Sequence, residues 1–132
     1  MTKELAHPAA GHISLSALFD ALSDPLRRKI VQQLAEQGES NCSGFLELTS
    51  KTNLSYHLAR MREAGLTRTR VEGTSYYVRL RVDELEERFP GLLGTVLASI
   101  TAEERPAPAR KTKVASKRVT SKQGSARKKG AA

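Results

Sequence analysis

Apolar residues recur at Leu15, Leu18, Phe19 and Leu22, the i, i+3, i+4, i+7 spacing of a helix with one buried face, and Ser14 stands where an N-cap would. Asp24-Pro25 predicts the start of a second helix. Aspartate accepts from the free amides, and proline at the first position lacks only an N–H that has no partner there. Leu26, Ile30, Val31 and Leu34 form its stripe, and Gly38 is the expected stop. The pattern then predicts a short helix over residues 43–48 with Phe45, Leu46 and Leu48 inward. A further helix follows, capped by Ser50 and running to about Ala64, with Leu54, Leu58 and Met61 inward and Gly65 closing it.

After Gly65 the period changes to two. Thr67–Val71 and Tyr76–Val82 flank Glu72-Gly73-Thr74-Ser75, and Tyr76, Val78, Leu80 and Val82 alternate with Tyr77, Arg79 and Arg81, as in a β-hairpin. Asp83 is placed to cap a short helix interrupted at Pro90, and Leu92, Leu93, Val96, Leu97 and Ile100 form an apolar last helix. Residues 1–12 show no periodicity and read as a flexible leader. Helix, helix, short helix, helix, hairpin, helix is the order of a winged helix-turn-helix: a mainly α fold with a β-hairpin wing, expected over residues 13–103.

Charge changes this picture at one end. The 132 residues carry a net charge of +8, yet residues 1–104 hold twelve Lys/Arg against fourteen Asp/Glu, while residues 105–132 hold ten Lys/Arg and no acid. The folded part is slightly acidic, so a nucleic-acid face on it must come from local clustering. The segment 104–132, rich in Lys, Arg, Ala, Ser, Pro and Thr, cannot bury enough apolar surface to offset its ordering entropy and reads as a disordered tail. One cysteine excludes an intramolecular disulfide and the multi-cysteine zinc spacings. No apolar run approaches the ~20 residues of a membrane span, so a cytoplasmic protein with no membrane partner is expected.

The candidate chemistry is that of duplex DNA. A major groove accepts an α-helix, whose N-terminal half reads base edges through short polar side chains. Lys51, Thr52, Asn53, Ser55, Tyr56 and His57 occupy that part of the fourth helix, and Arg60 follows on the face opposite its apolar stripe. Arg68, Arg70, Thr74, Arg79 and Arg81 on the hairpin can reach phosphates or a flanking minor groove. Plainer roles stay open: Tyr56 packing on a neighbouring helix, His57 buried and hydrogen-bonded, Arg79 and Arg81 only solvating the outer hairpin. Arg27, Arg28 and Lys29 oppose the dipole of their own helix, which points either to a nearby phosphate or to a solvated face. No glycine-rich phosphate loop, nucleophile elbow or His–carboxylate helix motif is present, so neither an enzyme nor a cofactor is expected.

Asp24-Pro25-Leu26-Arg27, Leu54-Ser55-Tyr56-His57-Leu58, Arg62-Glu63-Ala64-Gly65-Leu66, Glu72-Gly73 and Tyr76-Tyr77 together resemble the ArsR/SmtB-type bacterial repressors over roughly residues 14–100. The resemblance implies a transcriptional repressor that binds an inverted-repeat operator as a symmetric homodimer. Leu15, Leu18, Phe19 and Leu22 of the first helix and Leu92, Leu93, Val96, Leu97 and Ile100 of the last would then meet across a two-fold axis, unless both helices close the core of a single chain. Many such relatives sense metals through a Cys-x-Cys pair or through carboxylates and histidines on the last helix. Ser40-Asn41-Cys42-Ser43-Gly44 offers one thiol and residues 91–101 offer none of these ligands, so no metal site is expected and the inducer is unknown. Cys42, near a helix start, is a candidate redox thiol or a small space-filling residue. The alternative function is an architectural, nucleoid-type DNA binder with a tail like that of linker histones.

Ten tail cations, if engaged, each add about 0.9 to the salt slope of DNA binding. Deleting residues 105–132 is expected to weaken binding to random duplex and to flatten its salt dependence, leaving the preferred sequence unchanged. Titrations across a salt series with both chains check this, and a shift in preferred sequence on truncation contradicts it.

Overall fold

The computed structural model describes residues 2–105, and the compact unit runs over residues 1–100. Five α-helices and a small sheet alternate along it: β1 (Thr2–Glu4), α1 (Leu15–Leu22), α2 (Pro25–Gln37), β2 (Ser40–Asn41), α3 (Lys51–Glu63), β3 (Thr67–Glu72), β4 (Ser75–Leu80), α4 (Val82–Arg88) and α5 (Leu92–Glu104). Single 3-10 turns occupy Ala10–His12 and Cys42–Phe45. The expected tail lies, from residue 106 onward, outside the described residues.

The helix starts are where the capping residues put them. Ser14 Oγ accepts from Ala17 N at 3.0 Å, Asp24 Oδ1 from Leu26 N at 2.8 Å and Arg27 N at 3.1 Å, and Ser50 Oγ from Asn53 N at 3.2 Å; each satisfies an amide with no partner in its own helix. Burial works to raise the Asp24 carboxyl, but the amides of Arg27 and Leu26 and the Arg27 charge hold it below the ordinary aspartate range. The apolar stripes converge on one core that includes Leu18, Ile30, Val31, Phe45, Leu54, Met61 and Val78. Gly65 closes α3 with φ 87°. A Cβ there would stand 2.8 Å from Ile13 Cδ1, so both the backbone angle and the contact require glycine.

The first twelve residues are not a loose leader. Thr2–Glu4 pairs antiparallel with β3, Thr2 opposite Glu72 and Glu4 opposite Arg70. With β2 on β4 this gives a four-stranded antiparallel sheet in the order β1-β3-β4-β2, where the sequence predicts a bare hairpin. Beyond the strand, Leu5 N donates to Thr69 O at 3.1 Å, Thr69 N donates to His7 Nε2 at 2.8 Å, and Pro8 O accepts from Arg81 at 2.8 Å. Burial, then the Arg68 charge, lowers the His7 pKa, consistent with the neutral ring that an accepting Nε2 requires.

Three further expectations change. Leu46 is 44% exposed, because the helical segment is a 3-10 turn that ends at Phe45, and Leu46 and Leu48 lie beyond it in turns rather than on one helix face. Asp83 lies within the first turn of α4 rather than capping it, and Val82, at the start of that helix, is 50% exposed. Arg81 is 1% exposed rather than on the outer hairpin face, because the strand ends at Leu80 and the chain turns into α4. Its guanidinium meets both Glu84 oxygens, at 2.8 and 3.0 Å, and Arg68 meets the same carboxylate at 3.3 Å.

Arg81 and Arg68 hold the Glu84 carboxyl at about 2, well below its usual 4.5. A depressed carboxylate contributes stability that is complete above its unfolded value and is lost as pH falls towards the folded one. Glu84→Gln is expected to cost about 2 kcal/mol at neutral pH, less than the 3–5 of a fully buried pair because Glu84 keeps about a third of its side chain in water. The gap between the variant and the parent should stay constant above about pH 5 and close between about pH 4.5 and 2; urea denaturation across that range measures it.

Candidate nucleic-acid interface

α3 presents two unlike sides. Leu54, His57, Leu58 and Met61 are buried, and Lys51, Thr52, Asn53, Ser55, Tyr56 and Arg60 are exposed. No acidic residue occurs in the helix before Glu63. Asn53 Nδ2 donates to Thr49 Oγ1 at 2.8 Å, which fixes the amide at the helix start. Tyr56 is 56% exposed, its ring edge-on to that of His57 at 5.3 Å between centroids. Arg60 stands 3.5 Å from Asp20 in an exposed pair; such pairs are worth little, so Arg60 remains available to a ligand.

His57 does not join this face. It is 7% exposed, and its Nδ1 lies 3.0 Å from an Arg27 nitrogen. A guanidinium only donates, so Nδ1 is the acceptor and the proton of the neutral ring sits on Nε2. Spacing alone leaves His57 at the boundary between the two sides of α3; Arg27 decides its side. Arg27 is also 7% exposed, and donates to Ala21 O at 2.7 Å and Asp20 O at 3.3 Å, while Arg28 donates to Leu22 O at 2.8 Å. The two arginines in the first turn of α2 thus occupy the C-terminal, negative end of α1. Neither a phosphate nor a solvated face accounts for them. A basic first turn one short link after another helix is the sequence signal that points to this.

The wing arginines divide in the same way. Cross-strand register puts Arg68 beside Arg79 and Arg70 beside Tyr77. Arg68 pairs with Glu4 at 3.1 Å and with Glu84. Arg70 pairs with Glu39 at 2.9 Å and Glu72 at 2.8 Å, and its guanidinium lies 4.5 Å over the Tyr77 ring. These bonds raise the Arg70 pKa and, through Arg70, lower that of Glu39. Arg68 and Arg70, expected to reach phosphates, are committed to the fold. Arg79 and, at the hairpin tip, Thr74 are exposed.

The stripes assigned to a dimer divide as well. Leu18, Leu22 and Leu93 belong to the core and Ile100 is buried. Leu15 and Phe19 are 41% and 53% exposed, and Leu92, Val96 and Leu97 are half-buried. Cys42 is half-buried too, and burial pushes its thiol up to about 11, the opposite of the activated thiolate a redox switch uses.

A model of a helix-turn-helix domain matches residues 22–70, from the end of α1 into β3. An uncharacterized HTH-type transcriptional regulator of Bacillus subtilis (strain 168), YceK, is 42% identical over 82 residues, 60% of this chain and 82% of that protein. The crystal structure of an ArsR family transcriptional regulator shares the fold, with a TM-score of 0.50 at 22% identity over 68% of this chain and 84% of the other.

Hydrogen bonds from a charged donor are worth about 1.5–3 kcal/mol each, and Arg27 makes three. Arg27→Met is expected to cost roughly 3 kcal/mol in urea denaturation. Arg27→Lys should recover only a minor part, since a single ammonium cannot span acceptors on two helices. Full recovery by lysine would show that charge alone, and not the planar fork, does the work.

Proposed function

Since the chain belongs to the helix-turn-helix transcriptional regulators, with the winged fold of the ArsR type, we propose that it represses transcription by binding an inverted-repeat operator as a homodimer. The observation that carries this reading is the outward side of α3: a capped helix start, short polar groups, an exposed tyrosine, and no acid to repel phosphate before its last residue. Lys51, Thr52, Asn53, Ser55 and Tyr56 enter the major groove, where polar side chains read base edges. Arg60, Arg79 and Thr74 contact the backbone on either side and set the register without reading sequence. The exposed pair Leu15 and Phe19, with half-buried Leu92, Val96 and Leu97, supplies the two-fold contact. Two α3 helices then lie in successive major grooves, about 34–36 Å apart. The site of action is the cytoplasm, at the nucleoid, and the signal does not use the metal sites usual among such repressors, whose ligands residues 40–44 and 91–101 do not supply. The basic segment beyond residue 105 adds sequence-independent attraction to DNA.

Selection of bound fragments from random duplex, followed by footprinting, is expected to return a palindrome with one half-site per recognition helix. Asn53→Ala and Tyr56→Ala should each weaken the selected site by about 1–3 kcal/mol and relax preference at one position per half-site. Arg79→Ala should weaken all sequences alike. Phe19→Glu should yield a monomer in sedimentation and lose the palindrome while α3 keeps its fold. A selected motif without two-fold symmetry refutes the reading.

A further inference from the structure

Between α3, the turn at Cys42–Phe45 and the wing lies a cleft of about 690 Å³, within the ~300–1,000 Å³ of small-molecule sites. Leu54 and Leu58 from α3 and Tyr76 from the wing give it an apolar stretch among neutral polar groups, and no acidic residue lines it. The raised Cys42 thiol reports the same low polarity. Two cations line the cleft, Lys51 and Arg62. They stand eleven residues apart on α3, about 16 Å along the axis, so one anionic group cannot use both. Arg62 is half-buried, and among the described residues it has no carboxylate in ion-pair reach, unlike Arg60, Arg68, Arg70 and Arg81.

A second observation marks the same end. Thr69 lines the cleft, is 3% exposed, and its hydroxyl has no hydrogen-bond partner. Its backbone N–H is taken by His7, the residue on which the Arg62 charge also acts. Arg62 and Thr69 thus line one cleft, and both act on His7 of the N-terminal arm. Lys51, at the other end of α3, and the exposed Thr74 at the hairpin tip also line the cleft and belong to the proposed DNA face. A cleft with leucines and a tyrosine along it, one guanidinium without a carboxylate partner and one unpartnered hydroxyl is complementary to a small molecule with an apolar body and a terminal carboxylate.

We propose that this cleft is an effector site for small amphipathic acids of the fatty-acid type, the carboxylate held by Arg62 and the Thr69 hydroxyl and the apolar body lying between α3 and Tyr76. The regulatory part rests on the function proposed above: α3 and the wing both face DNA there, and a molecule wedged between them changes their spacing and so the affinity for the operator.

Octanoate is the probe and 1-octanol its uncharged counterpart, titrated into the full chain without DNA and followed by amide NMR shifts. Octanoate is expected to bind about tenfold more tightly than 1-octanol, with the largest shifts at Thr69, Arg62 and Tyr76. Arg62→Gln should remove that preference and keep 1-octanol binding, which separates a lost charge from a lost fold. Thr69→Val, equal in shape, should weaken octanoate several-fold without lowering the melting temperature. Equal affinity for the two probes, shifts mapping elsewhere, or an unchanged preference in Arg62→Gln overturns the site. Saturating octanoate should then change operator affinity at least fivefold, and binding without such a change overturns the effector role. Failure of the unliganded chain to select an operator would count against the function proposed above and leave the cleft titration intact.

Discussion

The structure turns on a buried guanidinium. Withdrawing a charge from water costs several kcal/mol even after relaxation, and Arg27 is repaid only because its planar fork meets acceptors on both sides: the last carbonyls of α1 and the imidazole of His57. One side chain of α2 therefore finishes α1 and orients α3. The first turn of α2 is an unfavourable place for a cation with respect to its own dipole, but the C-terminus of α1 lies nearer, so the neighbouring helix wins. What α3 shows to the outside is set by what it is bonded to within.

The sheet uses charge in the same way. Arg81, Arg68 and Glu84 join the wing to α4 and, through Glu4, to the N-terminal strand, while Arg70 joins it to Glu39 beside β2. A body with fourteen acids and twelve bases thus spends most of its wing arginines on its own carboxylates. The proposed DNA face is in consequence polar rather than strongly basic. Its exposed groups on α3 are Lys51, Thr52, Asn53, Ser55, Tyr56 and Arg60, so two of the six carry charge.

Helix starts and stripes were legible because they are local. Ser14, Asp24 and Ser50 announce themselves beside the apolar periods they introduce, and Gly65 ends α3 where a side chain would meet Ile13. The features that escaped depend on distant or competing partners. Thr2–Glu4 is too short to show alternation, and its pairing partner is most of the chain away. Alternation carries Arg81 outward only if the strand continues, and it does not. A helix start favours a thiolate at Cys42, yet burial prevails. The outward side of α3 could be read from spacing except at His57, which needed knowledge of Arg27. The hydroxyl of Thr69 gives no sequence signal, since an inward threonine on a strand looks like any other.

The N-terminal strand has a consequence for how the chain is made. Its residues leave the ribosome before the rest of the fold, yet their partners on β3 emerge only after α3 is complete. Until β3 emerges the arm has nothing to pair with, and closing so long a loop is slow compared with forming the helices. The helical part can therefore collapse around Ile30, Val31 and Met61 while the sheet is still half its final width. The first of the four strands to be translated thus covers, in the finished molecule, the β3 edge that would otherwise remain open to another chain.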